Sequence, residues 1–115
     1  MAILKVNNVE KDDIDKQPWE KLSITIDFTD ELGTGASVAS FTTLVYDSSG
    51  TSVGTIILAG VSESSGVITI GLQAGVAGTN YTVTSRVTSD QTLPDASAQR
   101  FEADVKLVVK DVKYY

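Results

Sequence analysis

The chain has 115 residues, 42% apolar and 21% charged, with 9 glycines, 2 prolines, no cysteine, no histidine and a net charge of −6. That length holds one domain around one core, and the composition is that of a globular chain rather than a disordered or fibrous one. It excludes a disulfide framework and thiolate or imidazole chemistry, and the acidic balance works against a phosphate-tracking surface, so no nucleic-acid partner is expected.

In chain order, residues 2–9 alternate loosely and are expected to form a strand or an arm, within an N-terminal segment spanning 1–15. The opening apolar run is too brief for a signal-peptide core and lacks its flanks. No stretch approaches the ~20 apolar residues that span a bilayer, so synthesis in the cytoplasm and no membrane partner are expected. Residues 10–17 (EKDDIDKQ) read as a charged, solvated break. Asp12, Asp13 and Asp15 stand close together there, but the spaced ligands and glycine of a calcium loop are missing, so no metal is expected.

Pro18 opens a strand that sets Leu22, Ile24, Ile26 and Phe28 on one face against Ser23, Thr25, Asp27 and Thr29. Residues 30–35 (DELGTG) follow as a turn; the Gly33/Gly35 pair lacks the lysine and helix of a phosphate loop. Residues 37–47 are a β-rich run ending at Ser48-Ser49-Gly50, and the buried parity is left open because Phe41 and Val45 oppose Leu44 and Tyr46. Residues 53–61 form a further apolar run weakened by Gly54 and Gly60, and 62–66 a polar turn. Two alternating runs come next, 67–72 and 81–87, joined by a turn ending in Gly78-Thr79-Asn80-Tyr81 and read as a paired hairpin. After the polar loop 89–99, Phe101, Ala103, Val105, Leu107 and Val109 alternate with charged residues, the cleanest strand in the chain.

No helical period persists, and turn signals recur about every ten residues, so the fold class expected is all-β, an immunoglobulin-like antiparallel β-sandwich spanning 16–112 with a tail at 113–115, a closed barrel being the second choice. In that frame Tyr81 is placed as a structural corner whose hydroxyl bonds backward to main chain while its ring closes the core. Catalytic residues are not assigned. Asp27 and Asp30 are the one carboxylate pair worth weighing for hydrolysis, and the plainer reading is that Asp27 faces outward and Asp30 opens a turn. Asn80-Tyr81-Thr82 matches a glycosylation sequon but falls at the corner. The candidate interface residues are the aromatics Trp19, Tyr46, Tyr114 and Tyr115, with a lid over the core as the alternative for Trp19.

Lys16-x-Pro18, Leu22, Asp27-Phe28, Asp30 and Leu32, then AGTNYTVTSRVTS over 77–89, then Asp95, Arg100-Phe101 and the closing LVVKD over 107–111 resemble the fiber-tail adaptors of tailed phages and prophages. Gln17 stands where that family usually has an acid and Phe28 where it usually has tryptophan, and the loop before Arg100 is longer. The resemblance implies a structural virion protein joining tail or neck to fibres, made in the bacterial cytoplasm and assembled into the virion tail. It implies no catalysis and no cofactor, and as partners other tail or fibre proteins and further copies of itself. Residues 2–9 and 113–115 are then candidate docking arms. A carbohydrate-binding β-sandwich module is the alternative, resting on Trp19 and Tyr46 if they share an exposed face.

Overall fold

The computed structural model describes residues 2–110. They form two sheets packed as an all-β sandwich. One sheet holds β1 (Ile3–Val6), β2 (Val9–Glu10), β4 (Leu22–Asp27), β6 (Ser62–Ser64) and β7 (Val67–Leu72) in the order β2-β1-β4-β7-β6. The other holds β3 (Ile14–Lys16), β5 (Val38–Asp47), β8 (Thr79–Thr92) and β9 (Ala98–Val109) in the order β3-β9-β8-β5.

The alternation read from the sequence becomes the core directly. Ile24 and Ile26 face Ile70 and Ile68 across the β4–β7 ladder, and all four are essentially inaccessible. From the second sheet, Val45, Val83 and Val105 form one cross-strand row and Tyr81 and Leu107 the next. Each such side chain contributes roughly 1.5–3 kcal/mol by leaving water, so burial of this stripe is what holds the two sheets face to face.

Several local readings differ from the sequence expectations. Pro18 does not open β4 but sits in a turn four residues before it, and β8 runs on to Thr92 and β9 starts at Ala98, both within the expected loop 89–99. Residues 10–17 are not a solvated break: Ile14–Lys16 is a strand parallel to β9, with Ile14 and Lys16 both buried. Residues 30–35 begin in one helical turn, α1 (Thr29–Leu32), which drops Leu32 onto the core and stops at Gly33, φ 76°. Residues 53–61 contain a 3-10 turn at Gly54–Ile56 rather than a strand, and the strand is Ser62–Ser64, within the expected turn. Runs 67–72 and 81–87 do not pair. β7 lies between β4 and β6 and β8 between β5 and β9, so residues 73–78 cross from one sheet to the other.

β1 lies inside its sheet, paired with β4 and turned back onto β2 through Asn7 and Asn8, both at positive φ, a conformation asparagine tolerates better than most residues. β8 and β9, with 14 and 12 residues, are twice the length of β4 and β7. At ~3.4 Å per residue they outrun the first sheet, so β5, β8 and β9 project beyond one end of the sandwich, within a long axis of 59 Å. The interface candidates are distributed relative to these two ends.

Candidate functional site

The end opposite the projection is built where three segments meet: the turn 17–20, the crossover 73–78 and the last described residue, Lys110. Lys16 ties them together. Its side chain is 1% exposed, and its ammonium donates to the carbonyls of Gln17 at 2.7 Å, Pro18 at 3.2 Å and Ala74. Its own carbonyl accepts the Lys110 N–H at 2.7 Å. An ammonium has three donors, and here each finds an oxygen, which makes burial tolerable. Burial holds its pKa below the usual lysine value, with the Glu20 carboxylate pulling the other way.

The crossover is secured on its other flank by Tyr81, 5% exposed, whose hydroxyl accepts the Val76 N–H at 3.0 Å. Gly78 N–H donates to Val109 C=O at 2.8 Å, and Thr79 N–H to Val76 C=O at 3.1 Å. Tyr81→Phe removes one acceptor from an otherwise unpaired amide. The expected loss is about 1 kcal/mol in a denaturant titration, and a midpoint unchanged from wild type would mean that water replaces the hydroxyl without cost.

On this clamped end stands Trp19. It covers no core: it is 90% exposed, on a turn closed by the Glu20 N–H to Gln17 C=O bond at 3.1 Å and by Gln17 N–H to the Glu20 carboxylate at 2.7 Å. Val76, 66% exposed, belongs to the same end, because the Lys16 ammonium bonds the carbonyls of both Pro18 and Ala74. The indole is thus presented to solvent by a turn whose backbone is already fixed.

Tyr46 is elsewhere. It lies half-buried on the outer face of β5, opposite Thr82 and bridged to Ser52, in a row of alternating polar residues. Further along that face Arg86 pairs with Glu102 at 2.6 Å, and the hydrogen bond and charge of Glu102 raise the Arg86 pKa. Tyr114 and Tyr115, with the rest of 113–115, lie outside the described residues. Residues 2–9, the other expected docking arm, are hydrogen-bonded into the first sheet.

The carboxylates serve local structure. Asp27 accepts the Thr29 N–H at 2.9 Å and thereby starts α1; that bond is the main reason its pKa falls below the usual aspartate value. Asp90 is lowered chiefly by the Ser37 amide and Asp95 by the Ser97 hydroxyl and amide. Among the described residues no group of three or more acidic side chains is gathered as metal ligands, and no helix is long and apolar enough to cross a membrane. Sequence reading missed Lys16 as a structural residue, since a lysine in a charged run looks solvated. The one available signal was its place two residues before Pro18 in the family-like motif.

No curated protein and no solved structure matches the chain. The family described as podophage GP4 fiber-tail adaptor protein gp77 matches residues 16–100, which takes in Lys16, the Trp19 turn, the crossover, β5, β8 and the first residues of β9. With well over half of its length matched, the chain belongs to this family of phage fiber-tail adaptors, structural components of the virion tail.

Proposed function

We propose that the chain is a non-catalytic adaptor of a phage or prophage tail, present in several copies, which meets other tail or fibre proteins through the end of the sandwich that carries Trp19. The observation that carries this is an indole 90% exposed on a hydrogen-bonded turn. A solvent-facing tryptophan does nothing for folding, whereas a rigid aromatic anchor gains burial on docking with little ordering cost. Membership of an adaptor family supplies the kind of partner.

The finer immunoglobulin-like assignment is supported by strand order. With β1, β4, β7 and β6 as A, B, E and D, and β5, β8 and β9 as C, F and G, the two sheets follow the order of that fold, and Tyr81 lies near the start of strand F, bonded back to the crossover that leads into it.

Trp19→Ala tests the docking end. Its melting temperature should match wild type, since surface changes of this kind stay within about 0.5 kcal/mol. Incorporation into purified tail particles, read by quantitative immunoblot, should fall more than tenfold, as loss of about 2 kcal/mol at a hot spot requires. Wild-type incorporation of the variant would refute the docking role of Trp19, and absence of the wild-type chain from every particle would refute the adaptor reading itself.

A further inference from the structure

We infer that the free outer edge of β5 pairs antiparallel with the same edge of a second copy of this chain, joining two sandwiches through one continuous sheet. The inference rests on the adaptor reading, to which it adds the contact between copies.

The edges of the two sheets differ sharply. β2, β6 and β3, which end the sheets elsewhere, are two or three residues long. Short edge strands offer a neighbour little to pair with. β5 has ten residues, VASFTTLVYD, with no lysine, no proline and no charge before Asp47, and its one irregularity lies between Val38 and Ser40, at its far end. Its other side is taken by β8, while among the described residues no strand flanks it on the open side.

Which backbone groups are free follows from the two bonds that cover the closed part of that edge. Val45 C=O accepts the Val53 N–H at 2.7 Å, and Asp47 N–H donates to Thr51 C=O at 2.9 Å, both directed away from β8. The N–H and C=O of one strand residue point to the same side, and that side alternates along the chain. Thr43 and Phe41 therefore direct both their groups outward. Residues 39–42 are exposed in succession, and Phe41 keeps 37% of its surface in water.

A second copy fits this edge by charge. Two chains of net charge −6 repel, and the contact that costs least is one through an uncharged strand. An antiparallel ladder centred on Thr42 and confined to the open stretch sets Phe41 opposite Thr43 and Ser40 opposite Leu44, with no charge in the register. Each symmetry-related Phe41–Thr43 pair exchanges both of its N–H···O=C bonds, and the phenyl ring lies beside the β-branched threonine of the other copy, a favourable cross-strand pair. The match is isologous and closes at two copies.

Sedimentation velocity of the purified chain over about a hundredfold range of concentration tests this. Wild type should move from monomer to dimer. Thr43→Pro, which removes an outward N–H while leaving the β5–β8 ladder its bonds, and Phe41→Lys, which places a charge in the register, should each stay monomeric while melting cooperatively. Should the proline variant fail to fold, the lysine variant decides. A wild-type chain monomeric throughout, or Phe41→Lys dimerising like wild type, overturns the inference, as does strand pairing that needs another tail protein. Presence of the chain in tail particles is read separately: a β5 dimer never found in particles sinks the adaptor reading alone, and a monomer found in particles sinks this inference alone.

Discussion

Replacing Lys16 by methionine should cost about 3 kcal/mol of stability and lower the melting temperature by roughly 10 °C. Methionine keeps most of the buried volume, so the loss comes from the carbonyls of Gln17, Pro18 and Ala74, which share one ammonium as donor. Hydrogen bonds to a charged group contribute roughly 1.5–3 kcal/mol each, and part of that is offset because the variant no longer buries a charge. The damage should be local before it is global: hydrogen exchange should quicken first in the crossover at 73–78 and at the Lys110 amide, which bonds the Lys16 carbonyl. A methionine variant melting within a degree or two of wild type would show that the ammonium is not what closes this end. Trp19, carried on the adjoining turn, should lose its fixed position in the same variant, so a fall in particle incorporation larger than the stability loss explains would tie the clamp to docking.

Gly75→Ala should cost a similar amount by a different route. Gly75 has φ 99°, and a Cβ there would stand 2.7 Å from Val109 Cγ2, with Val109 fully buried at the end of β9. The backbone strain and the overpacking together come to about 3 kcal/mol. The two parts separate in a double-mutant cycle. Val109→Ala alone should cost roughly 2 kcal/mol for the emptied volume, but combined with Gly75→Ala it removes the clash and leaves only the strained φ. The double variant should therefore be more stable than the sum of the two singles requires, by about 1 kcal/mol. Strict additivity would show that the crossover shifts away from β9 and that only the backbone conformation matters.

These two positions mark the limit of what could be read from residue order. Ile24, Ile26, Ile68, Ile70, Val83, Val105 and Leu107 were legible because period-two alternation puts an apolar side chain on one face whatever the neighbours are. Tyr81 was legible because a tyrosine after a Gly-Thr-Asn turn has few places to put its hydroxyl, and the structure sets that hydroxyl against Val76. Lys16 was not, since its burial depends on three oxygens drawn from two segments, one of them 58 residues away. Trp19 was legible as a candidate, while the choice between a lid over the core and an exposed side chain was made by the turn that holds it.

Alternation and turn spacing established the sandwich class, the strand that became β4 and the pairing-competent runs of β7, β8 and β9, and composition alone excluded a histidine or cysteine centre, because these depend on side-chain type and spacing. Sheet membership was decided by the tertiary structure: the same pattern serves a hairpin or a crossover, and only the competing ladders β4–β7 and β8–β9 separate β7 from β8. The parity of β5 was decided there as well. Phe41 and Val45 share a face, but Val45 lies over the first sheet and is buried, whereas Phe41 lies farther along the edge strand and is exposed, although Val87 beside it on β8 is covered. A period specifies which face a residue joins; how far the opposite sheet extends to cover that face depends on strand lengths elsewhere in the chain.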